Sequence, residues 1–107
     1  MATAKSGAFD RADIKLAATF KAMSHPARLD ILRILAQRGT CICGEIVEEI
    51  PLAQATVSQH LRVLKDAGLI VGEIDGPAVC YCVDPEALNR LRAVTEAYFE
   101  SITTSCC

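Results

Sequence analysis

Long apolar runs are missing from this chain: none approaches the roughly 20 residues that a bilayer-crossing helix needs. An apolar signal core is missing from the N-terminus as well. The expectation from both absences is a cytoplasmic protein with no membrane partner. Positive charge is not in excess either, since 11 Lys and Arg stand against 13 Asp and Glu for a net charge of −2. Phosphate neutralisation supplies most non-specific affinity for nucleic acid, so charge alone does not suggest DNA. Histidine is scarce, at positions 25 and 60 only, and neither has a His or carboxylate partner at ligand spacing. Internal repeats and low-complexity segments are absent.

What the chain does have is cysteine. Six occur in 107 residues, clustered as Cys41-x-Cys43, Cys80-x-Cys82 and Cys106-Cys107. Neighbours one or two apart bridge each other poorly. With no leader sequence, reduced thiols are expected, and clustered reduced thiols serve soft metals or redox sensing. A 51% hydrophobic composition suits a single small core, which oligomerisation would help to stabilise.

Residues 1–9 are small and polar and read as a mobile N-terminal arm, with residues 10–107 forming one domain. Asp10 can cap a helix in which Leu16, Phe20 and Met23 recur at helical spacing up to Ser24. Pro26 opens a second helix with an apolar face of Leu29, Ile31, Leu32, Ile34 and Leu35, closed by Gly39. Cys43 to Ile50 reads as a short helix stopped by Pro51. Gln54 to Ala67 reads as a longer one, with Val57, Leu61 and Leu64 on one face and Gly68 as terminator. Two helices joined by a tight turn match a helix-turn-helix, whose second helix enters the major groove. Leu69–Glu73 and Ala78–Val83 flank Asp75-Gly76-Pro77 as a hairpin. Pro85 opens a last helix in which Leu88, Leu91, Thr95, Tyr98 and Ile102 form a seam for a partner helix or for the domain's own core. The fold class is therefore mainly α with a β-hairpin wing.

The order of these elements, with particular motifs, resembles the ArsR/SmtB family of bacterial metal-responsive repressors over residues 13–102. Ser24-His25-Pro26-Ala27-Arg28-Leu29-Asp30-Ile31-Leu32 is similar to the family's second-helix opening, and Thr40-Cys41-Ile42-Cys43-Gly44-Glu45-Ile46 to its metal-binding helix start. Leu52 to Leu61, followed by Leu64-Lys65-Asp66-Ala67-Gly68-Leu69-Ile70, is similar to its recognition helix and wing entry. The resemblance implies a homodimer of winged helix-turn-helix subunits joined through their first and last helices. It also implies repression of a detoxification operon until an inducer arrives, with no cofactor needed to bind double-stranded operator DNA.

On the recognition helix the inward face leaves Gln54, Thr56, Ser58, Gln59, His60 and Arg62 toward solvent or DNA, side chains able to bond base edges or phosphates. Ala53 stands where the family places a Ser or Thr cap, forgoing a bond typically worth about 1 kcal/mol. His25 reads as a helix-entry residue. Cys41 and Cys43 are the expected sensors. Two residues apart in a regular helix point to nearly opposite sides, so to share an ion they must sit at or before the first turn. Capture would strain this brace and weaken DNA binding. Where related arsenic sensors carry a third thiol, this chain has Ile46, so Cys106 or Cys107 on the tail is the expected third ligand. Cys80 and Cys82 share one face of a wing strand, expected to be the outer one, as a second site or as inert thiols. The last helix lacks the His and carboxylate pattern of the family's zinc and nickel sensors, which leaves arsenite and antimonite, then cadmium, lead or bismuth. A redox or persulfide sensor of the same fold is the rival reading, and a thiol metal buffer a more distant one. An enzyme would need a base beside a nucleophilic Cys, and no such pairing occurs at useful spacing.

Overall fold

At Asp10 an extended backbone (φ −62°, ψ 136°) lets the carboxylate accept the Ala12 N–H at 2.8 Å, satisfying a donor that a helix start leaves over. Helix α1 (Arg11–Met23) follows, and α2 (Pro26–Arg38) begins almost at once. The N-cap of α2 is His25, whose Nδ1 accepts the Ala27 N–H at 3.0 Å, the helix-entry role expected of it. Pro26 occupies the first turn, where its missing N–H costs nothing, and Gly39 ends the helix in the left-handed region at φ 67°.

The computed structural model describes residues 8–39, 41–43, 50–75 and 78–103. Within them β1 (Ile42–Cys43), α3 (Gln54–Asp66), β2 (Ile70–Asp75), β3 (Ala78–Val83) and α4 (Pro85–Thr103) complete the order. The hairpin forms as expected, β2 running antiparallel to β3 with Ile70 opposite Val83 and Gly72 opposite Tyr81. A third strand was not expected. Cys43 lies in β1 rather than opening a helix, because the backbone of Ile42 and Cys43 finds its partners on the free edge of β3, giving the order β1-β3-β2. Most of the brace helix expected over 43–50 lies outside the described residues, as does nearly all of the arm over 1–9.

The core gathers Ile31, Leu32 and Leu35 of α2, Val57, Leu61 and Leu64 of α3, and Ile50, Leu69 and Ile70 around them. Leu29, expected on the same face of α2, is largely exposed; it sits two positions before Ile31, nearly opposite on the helix. Helix α4 rests on this core through half-buried Leu88 and Leu91 and buries no residue fully. Farther along it Val94, Tyr98, Phe99 and Ile102 stay exposed, as do Ile14 and Phe20 of α1. The radius of gyration is 16.4 Å, against about 13 Å for a compact 100-residue domain. Among the described residues no helix is long and apolar enough to cross a membrane.

Candidate nucleic-acid interface and thiol cluster

Helix α3 is amphipathic in a way that positions its polar side. Val57, Leu61 and Leu64 are buried at helical spacing, which turns Gln54, Ser58 and Arg62, four residues apart, onto one exposed ridge with Gln59 beside it. Thr56 is half-buried at the edge of that ridge. Ala53 caps the helix in extended backbone with no side-chain bond, so the weak cap read from the sequence is present. At the other end Gly68 adopts φ 80°, and the chain reverses into β2.

His60 corrects the expectation of a solvent-facing side chain. It is 8% exposed, because position 60 is three after Val57 and four before Leu64 and so belongs to the buried flank of the helix. Its Nδ1 accepts the Arg28 Nε–H at 3.1 Å, and its ring lies 4.4 Å from that of His25. Arg28 in turn donates to the carbonyls of Lys21 and Ala22 at 3.3 and 3.1 Å. A chain of bonds therefore runs from the recognition helix through Arg28 to the C-terminus of α1, where a cation also suits the helix dipole. Burial first, then His25, then Arg28, holds the His60 pKa below its ordinary 6.5. A neutral ring is what an Nδ1 acceptor requires.

The thiols are arranged by the unexpected strand. Ile42 and Cys43 are strand and Cys41 just before them is not helical, the condition under which Cys41 and Cys43 can act together. In the β1–β3 ladder Ile42 faces Tyr81 and Cys43 faces Cys80. One step farther, Cys41 and Cys82 are joined by a disulfide, with Cα atoms 4.3 Å apart. Cys80 is disulfide-bonded as well and 4% exposed. The expectation of reduced thiols fails here because bridging occurs between clusters and not within them. Cys80 and Cys82 alternate with Tyr81 and Val83, which pack against the core, so they share the opposite, outer face of β3, Cys80 buried and Cys82 half-buried. The signal for the bridge, two Cys-x-Cys repeats able to pair in antiparallel register, needed the partner strand to become readable. Cys106 and Cys107 lie outside the described residues. Among the described residues no group of three or more His, Cys, Asp or Glu forms a metal cage.

A polar-ridged helix seated before a two-stranded hairpin, with α1 and α4 leaving an apolar face open, defines a winged helix-turn-helix DNA-binding protein. A helix-turn-helix domain model matches residues 23–73. The chain is 38% identical over 84 residues to an uncharacterized HTH-type transcriptional regulator of Methanocaldococcus jannaschii, covering 77% of this chain and 93% of the relative. It is 40% identical over 73 residues to the arsenical resistance operon repressor of Bacillus subtilis, covering 67% and 69% respectively. The crystal structure of Rv0081 from Mycobacterium tuberculosis superposes with a TM-score of 0.66 at 28% identity, over 90% of this chain and 96% of that one. This protein belongs to the ArsR/SmtB family of winged helix-turn-helix transcriptional regulators, a family of regulators and not of enzymes.

Proposed function

We propose that this protein is a cytoplasmic, homodimeric repressor, a single DNA-binding unit over residues 10–107 with an N-terminal arm over 1–9. It holds operator DNA in its ion-free, reduced form and releases it when cysteine thiolates capture arsenite or antimonite, with cadmium, lead and bismuth as further inducers. The observation that carries the reading is the non-helical Cys41-Ile42-Cys43 segment shortly before the recognition helix. Any ion gripped there acts on the element that positions α3. Trivalent arsenic takes three thiolates, so Cys41 and Cys43 need a further sulfur, for which the Cys106-Cys107 tail is the candidate by sequence. Gln54, Thr56, Ser58, Gln59 and Arg62 read the major groove and its phosphates. His60, assigned to the same set by sequence, serves from behind by holding Arg28. The similarity to an arsenical resistance repressor supports the choice of inducer.

A second reading is favoured by the Cys41–Cys82 bridge. In it a peroxide takes two electrons and two protons from the paired thiols and leaves as two waters, and the disulfide itself is the released state. Nuclease footprinting of the DNA upstream of the gene separates the two. Loss of the footprint of reduced protein on adding arsenite, with the footprint kept in peroxide, supports ion sensing. Loss in peroxide alone supports the bridge, and no footprint at all overturns both.

A further inference from the structure

Resting on the thiol-sensor reading above, we infer that the wing cysteines Cys80 and Cys82, and not the tail, complete the ion site with Cys41 and Cys43. Antiparallel register is the reason. The ladder pairs, Ile42 with Tyr81 and Cys43 with Cys80, advance one strand as the other retreats, so the next pair is Cys41 with Cys82, and the disulfide between those two agrees. In a strand ladder residues two apart return to the same face. Positions 41 and 43 of one strand and 80 and 82 of the other thus form two directly opposed pairs on one face, with the Ile42–Tyr81 pair on the other. Opposed pairs alternate between wide and narrow spacing, so two steps return to the same type. The 4.3 Å between the Cα atoms of Cys41 and Cys82 marks the narrow type, and register assigns Cys43 and Cys80 to it too.

Four cysteines at such positions supply, once reduced, a soft-ligand set within one subunit. In the structure Cys41, Cys80 and Cys82 are held as disulfides, a form that offers no thiolate. A small-molecule thiol reductant supplies two electrons and two protons to each bridge, yields two protein thiols, and leaves as its own disulfide. Arsenous acid then exchanges its three hydroxyls for three of the cysteine sulfurs, each hydroxyl leaving as water with one thiol proton. Cadmium takes four thiolates and displaces four protons. Either product clamps the wing strand β3 to the segment that follows α2, which places the ion between two elements flanking the recognition helix.

The test uses the full chain, reduced, with arsenite and with cadmium separately. Cysteines are alkylated with and without ion and identified by mass spectrometry. Protection of Cys41, Cys43, Cys80 and Cys82 with free labelling of Cys106 and Cys107 is expected; protection of the tail with labelling of the wing overturns the inference. In parallel, a Cys80→Ser/Cys82→Ser variant loses most of the cadmium–thiolate charge-transfer absorbance, whose intensity follows the number of Cd–S bonds, while Cys106→Ser/Cys107→Ser keeps it. The reverse pattern again overturns it. Wild-type labelling does not depend on whether a variant folds. If the four thiols are protected and DNA stays bound, the repressor-release reading fails and the site stands; if DNA is released with the wing thiols unprotected, the site fails and the release reading stands.

Discussion

His60 is the residue whose place in the fold says most about how the reading head is held. It fills a flank of the core, accepts from Arg28 and touches His25. Its pKa is lowered in the folded protein, so between that value and 6.5 the unfolded chain binds the proton more readily. Stability is then full above about pH 6.5 and falls as acid carries the solution down through the folded pKa. Urea unfolding across that window should show the decline, and a His60→Gln variant, whose amide oxygen can still accept from Arg28, should flatten it. An unchanged slope would remove His60 as its source. His60→Ala instead leaves the Arg28 Nε–H without its acceptor, at a cost of about 1–3 kcal/mol. Position 53 offers the opposite case. Its backbone already has cap geometry without a side-chain acceptor, so Ala53→Ser should raise stability by about 1 kcal/mol in the same unfolding assay. Both sites were partly readable. Ala53 is legible because a cap is a local, one-residue signal, whereas the polarity of His60 points to the wet face although its spacing from Val57 and Leu64 matches the buried stripe.

At the scale of elements, helices α1, α2, α3 and α4 and the hairpin were legible because each is written locally: a cap or proline at the start, a glycine or polar break at the end, and one period between. Strand β1 was not, since two residues carry no period and its partner lies some forty residues away along the chain. With it went the pairing of Cys41 to Cys82, although the two Cys-x-Cys repeats were each plain. Contacts between distant segments depend on register, and register is set by the whole sheet. The element that should matter most for function is α3. Replacing Arg62 with Ala should weaken operator binding by about 1–3 kcal/mol if it reads a base. If it contacts only phosphate, the loss should be similar on all sequences and should lower the salt dependence by about one unit. Anisotropy titrations at several salt concentrations separate these outcomes, while an unaltered affinity would take Arg62 off the interface.

For the whole molecule, the core built on α2, α3 and the wing leaves one side unfinished. Helix α4 rests on it only near its start, and the apolar side chains beyond, Val94, Tyr98, Phe99 and Ile102, stand exposed together with Ile14 and Phe20 of α1. A second copy of the chain covering these two helices is the expected remedy, and it would set two α3 helices about one turn of DNA apart. Phe99→Glu should therefore give a monomer by analytical ultracentrifugation and cost most of the operator affinity; a dimer that persists would place the interface elsewhere. The central claim, that captured thiophilic ions release a repressor from DNA, has one direct measurement. Fluorescence anisotropy of the reduced protein on its own upstream DNA is followed while arsenite is added, beside a Cys41→Ser/Cys43→Ser variant. Release of the wild type with the variant still bound is the predicted result; wild-type protein that stays on its DNA at saturating arsenite would contradict it.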